Sequence, residues 1–366
     1  MASSSSAICH PNASPSFFRH AAVSGPLSMT SQTRIWTPLD FDRDGKQSDC
    51  LRLPISTDLS AYGWVPIPVV CIKNGTGLTA VLIAGSHGDE YEGQVALHDL
   101  ARSIQPAEIR GRIIILPALN SPAVGAGRRV SPMDDGNLNR LYPGRADGSA
   151  TQMIAHYVST VLLPMADLVV DLHSGGRSLE YVHCALIRPS KDPGRQKAMH
   201  ELVRAFGAPF SYVSDGRGGG GATTLSATAE TMGVPVLTTE LGGGGRLSVR
   251  GKSLADAGVR RLLQIVGIRD DGTVPEAPAT RMMEVPGREY FVYADFNGLF
   301  EPLANLGDEV SAGQLAGLIH SFEHPMKEPH PIRFQVSGMV ACRRFPALTA
   351  RGDCLFGQMR DLETRE

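Results

Sequence analysis

Four polar side chains stand just past short apolar runs: His87 and Glu90 in SHGDEYEG, His173 after DLVVDL, and Glu240 after VPVLTT. Two imidazoles and one carboxylate make a His2Glu set, the donor combination of catalytic zinc sites that keep one position open for water. Glu240, arriving from a separate run, has the chemistry of a general base toward that water. Spacing alone decides nothing. The chain has 11 His, and His320–Glu323 repeats the HxxE pair in a region that reads as surface. Taken singly, His87 reads equally as a hydrogen-bonded loop histidine and His173 as a satisfied strand-end histidine. Weight comes from position, since all four groups fall at the carboxyl ends of runs with strand character. Open α/β sheets bind ligands in the crevice beyond those ends. Other nucleophile chemistry has little support, because there is no GxSxG elbow and no motif around any cysteine.

A second constellation lies in NSPAVGAGRRVSPMDDGNLNRLYPG (120–144), a long polar loop of the kind that is usually functional. Arg128, Arg129, Arg140 and Arg145 are expected to bring guanidinium forks to the same rim, suited to a carboxylate. Gly218–Gly221 and Gly242–Gly245 fit neither GxGxxG nor GxxxxGK[ST], so a nucleotide cofactor is not expected.

The elements that must position these groups follow from the pattern. VPIPVVCI (65–72), LTAVLIAG (78–85), RIIILPAL (112–119), DLVVDLH (167–173) and VPVLTTE (234–240) read as strands. Helices are expected from near Asp89 through Ser103, over 150–163, 191–206 and 222–232, and over 253–266. This alternation indicates an α/β sheet with helices on its faces. After about residue 268, DDGTVPEAPAT reads as a linker, and short strands separated by turns follow (REYFVYA, GLFEPL, QLAGLI, IRFQVSG). The expected organisation is a disordered tail over 1–28, an α/β catalytic domain over 29–270 and a smaller all-β domain over 280–366. The tail holds eight Ser and no acidic residue; a transit peptide and a start at Met29 are the other readings of it.

At 366 residues with 42% hydrophobic content, the chain can bury a core without a disulfide or metal staple. A net charge of -2 gives no footprint for nucleic acid or anionic lipid. No apolar run reaches the roughly 20 residues of a membrane-spanning helix. The six scattered Cys fit a reducing compartment, and a cytoplasmic location is expected. The oligomeric state stays open, a homo-oligomer included.

In order, SHGDEYEG, NSP…RRVSPMDDGNLNR, DLHSGG and TTELGGGG resemble the succinylglutamate desuccinylase/aspartoacylase family, relatives of the zinc carboxypeptidases. The resemblance spans roughly 60–365. It implies a zinc-carboxypeptidase-like mixed sheet with flanking helices, followed by a smaller all-β barrel-like domain, and one Zn2+ per chain. Carried residue by residue, it makes His87, Glu90 and His173 the zinc ligands. It makes Glu240 the group that activates water and passes its proton to the leaving amine. Asn139 and Arg140 become the grip on a substrate carboxylate, and Arg129, with Arg128 beside it as the other choice, the group that polarises the scissile carbonyl. The family's DLNR reads NLNR here, so Asn137 stands where an Asp is usual. SPxDxGNLNR and ELGGGG are similar to the branch that deacetylates N-α-acetyl-L-2,4-diaminobutyrate in ectoine breakdown. The implied substrate is therefore a small N-acyl amino acid, with desuccinylase- or aspartoacylase-type deacylation as the alternative. Asp134 and Asp135 are the acids nearest the motif for a cationic side chain. The appendix also resembles half of a biotinyl/lipoyl barrel, which gives a remote carrier reading with Lys327 as the modified residue.

Overall fold

The computed structural model describes residues 32–216, 220–269 and 275–363. The tail expected at 1–28 and part of the linker expected after 268 lie outside the described residues. The chain opens with a long antiparallel hairpin, β1 (Gly45–Thr57) and β2 (Ser60–Asn74). Next come β3 (Thr79–Ala84), helix α1 (Tyr91–Ser103), β4 (Gly111–Leu116), α2 (Ser121–Ala126), α3 (Ala150–Tyr157) and β5 (Leu168–Leu172). They are followed by β6 (Leu179–Tyr181), β7 (Cys184–Ile187), α4 (Pro193–Phe206), β8 (Phe210–Val213), α5 (Leu225–Thr231), β9 (Val236–Glu240) and α6 (Val249–Ile265).

β3 pairs in parallel with β4 and β5, and β5 with β9, which makes the parallel heart of the sheet. β2 and β7 flank it antiparallel, so the sheet is mixed. The central strands are buried on both faces, and alternate residues feed two cores. Ala80, Leu82 and Ala84 of β3 pack with Leu97 of α1, Leu202 of α4 and Leu262 of α6. Val81 and Ile83 pack on the other side with Ile154 of α3 and Leu225 of α5. The period of two along one strand thus sorts the helices into layers.

The sheet does not stop at the end of the α/β region. β10 (Arg281–Glu284) runs parallel to β8 and antiparallel to a final strand at Cys354–Asp361. That strand pairs with Gly338–Arg344, which in turn pairs with β6. A separate four-stranded antiparallel sheet has the order His330–Arg333, Leu315–His320, Gly298–Pro302, Leu348–Thr349. Its core centres on Phe300, Phe334 and Phe356. The expected mixed sheet with helices and a smaller all-β unit is therefore present.

The differences are local. The helix expected over 150–163 leaves α geometry at Tyr157 and finishes in a π turn (Val158–Leu162) and a 3-10 turn (Leu163–Met165) that contains Pro164. The segment 120–144 carries the short helix α2, whose Pro122 suits the first turn. β7 and β8 were not expected: four residues each give no readable period. No helix among the described residues is long and apolar enough to cross a membrane.

Gly93 is a tight joint between helix α1 and the sheet near the site. A Cβ there would lie 2.5 Å from Leu172 Cβ and 3.2 Å from Ala84 Cβ. Alanine favours helix by about 1 kcal/mol over glycine, but overpacking costs about 1–3 kcal/mol. Gly93→Ala is expected to lower the midpoint of urea unfolding. Because Glu90 caps this helix and His173 follows Leu172, it should also weaken metal binding in a Zn2+ titration.

Candidate metal centre and substrate cavity

His87 and Glu90 sit on the turn between β3 and α1. That turn is pinned to the segment after α2, since Gly88 N–H donates to Arg128 O at 2.8 Å. A Cβ at Gly88 would meet Ala123 O at 1.9 Å, so only glycine allows this approach. Glu90 caps the helix with extended backbone, and its side chain is turned away from the helix end toward the imidazoles. His173 leaves the end of β5, and Glu240 closes β9.

The three expected ligands come together. His87 Nδ1 lies 2.6 Å from Glu90 Oε1, and His173 Nδ1 lies 2.8 Å from Glu90 Oε2. Their ligand atoms fall within 4.8 Å of one another, and all three residues are buried. The far ring nitrogens are held as well: His87 Nε2 is 3.0 Å from Asn137 Oδ1, and His173 Nε2 is 2.9 Å from Asp171 Oδ2. A metal ion would displace the proton that each Nδ1 shares with Glu90, leaving Nε2–H to donate to those oxygens and the Nδ1 lone pair free for the ion. This is the orienting pattern that carboxylate or amide partners impose on metal-ligating histidines. Burial alone would push the Glu90 carboxyl up, but His87 and His173 outweigh it and hold it below the usual carboxylate range. Two neutral nitrogens and an ionised carboxylate fit a divalent transition metal.

All seven expected site residues line one cavity of about 390 Å³: His87, Glu90, Arg129, Asn139, Arg140, His173 and Glu240. Burial, then the charge of Glu90, pushes the Glu240 carboxyl up to about 8, and its Oε2 is buried without a hydrogen-bond partner among the described residues. Arg129 Nη1 stands 3.4 Å from both Glu90 Oε1 and His87 Nδ1. Asn139 Oδ1 accepts from Leu225 N–H at 3.0 Å, and its Nδ2 lies 3.4 Å from His173 Nε2. The Arg140 guanidinium is anchored by a 2.7 Å bond to Asn139 O.

Other expectations need correction. Of the four arginines placed at the rim, Arg128 turns out to an exposed pair with Asp135, and Arg145 to one with Asp147. Neither lines the cavity; Arg188, held by Glu230 at 2.7 Å, does. Asp134 is no cavity acid. It accepts from Thr151 N–H, Thr151 Oγ1–H and Gly136 N–H, and burial works against its charge less than these bonds favour it. His320 pairs with Glu301 on the surface and does not join the cluster of His87, Glu90 and His173. Lys327 lies on an exposed turn between strands Leu315–His320 and His330–Arg333.

Sequence reasoning missed Asp171, though a single acid inside the buried run LVVDL was a readable signal. It also missed Tyr181, Tyr212 and the appendix residues Cys342, Gly357 and Met359, which supply a cavity wall from more than 100 residues beyond the motif (342 against 240 at the nearest).

Comparisons with known proteins identify the family. Residues 76–266 match the model of the succinylglutamate desuccinylase/aspartoacylase catalytic domain. The chain is similar to N-alpha-acetyl-L-2,4-diaminobutyric acid deacetylase of Halomonas elongata, 40% identical over 319 residues, which are 87% of this chain and 92% of the relative. Among solved structures it is similar to the product-bound ectoine utilization protein EutE (DoeB) of Ruegeria pomeroyi, at 40% identity and a TM-score of 0.87 over 90% of this chain and 100% of the other. A succinylglutamate desuccinylase/aspartoacylase of Rhodobacter sphaeroides matches at 38% identity and a TM-score of 0.85, over 90% of this chain and 100% of that one.

Removing one outer partner should loosen the centre without destroying it. Asp171→Asn is expected to weaken Zn2+ binding about 10–100-fold, the usual cost of losing such a partner. Competition with a chromogenic chelator measures it, and an unchanged affinity would remove Asp171 from the centre.

Proposed function

Because the chain belongs to the succinylglutamate desuccinylase/aspartoacylase family of deacylases, we propose that it removes the acetyl group of N-α-acetyl-L-2,4-diaminobutyrate, using one Zn2+ held by His87, Glu90 and His173. The observation that carries the substrate is the 40% identity to a deacetylase of that name, extending over 92% of its length. The relative solved with its product bound is an ectoine utilization protein of the same fold, which supports a small-molecule substrate. Succinyl-glutamate and acetyl-aspartate are the competing substrates within the family. The catalytic residues all fall within 29–270, and in this reading 280–366 is a β domain that walls the cavity. Five described cysteines are free, in keeping with a cytoplasmic site of action.

When bound, zinc supplies Lewis acidity toward the scissile carbonyl and the attacking water. The rest falls to the chain's own groups. Arg140 and Asn139 receive the substrate carboxylate; the planar guanidinium pairs with it through two parallel hydrogen bonds. Arg129 donates toward the carbonyl oxygen as it gains negative charge. Glu240 takes a proton from the water whose oxygen bonds to the carbonyl carbon, and delivers it to the nitrogen as the C–N bond breaks. Acetate and the free diamino acid leave.

Glu240→Gln is expected to retain zinc by elemental analysis while its rate falls about 10²–10⁴-fold. Wild-type turnover in that variant would take Glu240 out of the mechanism. The substrate is tested by competition among N-acetyl-2,4-diaminobutyrate, N-acetyl-aspartate and N-succinyl-glutamate. A clear win for either dianionic compound overturns the diaminobutyrate assignment and leaves the deacylase.

A further inference from the structure

A diamino acid brings a cationic side chain into a cavity whose described lining offers it no spare carboxylate. The acids among the described lining residues are Glu90 and Glu240, and both stand at the catalytic end. Asp134 and Asp135 lie outside. An ammonium can then be met only by neutral oxygens, and most of the hydroxyls on the wall are already engaged. Thr224 and Ser226 bond each other at 3.2 Å. Ser214 Oγ accepts from Gly216 N–H, and the Tyr181 hydroxyl meets Cys342.

Ser174 is bonded to Glu92 and Ser178 is exposed, so two half-buried hydroxyls remain, those of Tyr212 and Thr238, without a hydrogen-bond partner among the described residues. Strand register places them together. Leu186 of β7 pairs with Thr238 of β9 on one side and with Tyr212 of β8 on the other. Directly paired residues share a face of the sheet, so Thr238, Leu186 and Tyr212 form one row across the cavity floor. Thr238 is two residues before Glu240 and therefore on the same face as the catalytic carboxylate. The row begins beside the reacting centre and leads away from it, the course a side chain must take once its α-carboxylate is gripped by Arg140.

We propose that the Tyr212 and Thr238 hydroxyls form the subsite for the terminal amine of the substrate's amino acid, with Leu186 between them against its methylenes. This inference rests on the diaminobutyrate reading and adds its specificity-determining residues. Burial keeps the Tyr212 phenol protonated, so it presents a neutral oxygen to the ammonium and a donor to water.

The experiment compares two substrates that differ only in that amine, N-acetyl-2,4-diaminobutyrate and N-acetyl-2-aminobutyrate, on the zinc-loaded enzyme. Tyr212→Phe and Thr238→Val should each lower kcat/KM about tenfold for the first, the usual worth of a hydrogen bond to a charged group. Each should change the second by less than about twofold on the same scale. Thr238→Ser should restore the preference, which a merely structural role would not predict. Equal losses on both substrates, or none on either, overturn the subsite. Loss of the wild-type preference for N-acetyl-2,4-diaminobutyrate over N-acetyl-aspartate would overturn the substrate reading instead, so the two failures are distinguishable.

Discussion

Everything in this molecule is arranged around one buried carboxylate. Glu90 sits 3% exposed, with an imidazole nitrogen against each of its oxygens. An ionised carboxylate taken out of water is costly unless it is paired and hydrogen-bonded on every side. The surroundings supply those partners from three separate stretches of chain: His87 on its own turn, His173 with Ser174 N–H at 3.1 Å beside it, and Arg129 from the loop after α2. None can be placed without the others. The parallel pairing of β3 with β5 brings His87 and His173 to one edge, and helix α1 must press onto β5 closely enough for Glu90 to reach between them.

The two histidines are held differently, which gives the centre an asymmetry. His173 faces Asp171, a charged partner two residues earlier on the same face of β5, buried to 1%. His87 faces the neutral amide of Asn137. A carboxylate partner raises the basicity of the imidazole it holds, and an amide does so less. An Asn at position 137 thus leaves the outer charge on the sheet side alone. Asn137 Oδ1 also accepts from Asn139 N–H at 3.1 Å. The residue that orients a proposed metal ligand therefore also fixes the turn that carries the proposed carboxylate grip.

The central strands and the residues at their ends were readable because burial on both faces leaves an unbroken apolar run, and a polar residue at its end stands out. His87, Glu90, His173 and Glu240 were legible for that reason. Arg129 was separable from Arg128 only in three dimensions: neighbours in a loop share every sequence property, and one turns in while the other turns out to Asp135. The short strands β7 and β8 were invisible because four residues carry no period, yet they hold Leu186 and Tyr212. Tyr181, Cys342 and Gly357 were beyond reach for a different reason. They meet through cross-strand pairing, Tyr181 with Cys342 and Cys342 with Gly357, over long sequence separations.

That last pairing explains why a β appendix belongs to an α/β catalyst. A sheet edge binds ligands in a crevice, but a crevice open to water weakens every charge in it. Here β10 extends the catalytic sheet by one parallel strand, and the chain then lays Cys354–Asp361 and Gly338–Arg344 beside it before meeting β6. β6 directly precedes β7, so the path through the appendix returns to the catalytic region it left. The Tyr181–Cys342–Gly357 row is thus held from both sides, by β6 and by the final strand, with Phe291 paired to Gly357 beyond it. A wall fastened at both ends keeps its distance from the floor that carries Thr238 and Glu240. The cavity is shaped by the same hydrogen-bond ladders that stabilise the fold, and catalytic geometry and fold stability become one constraint.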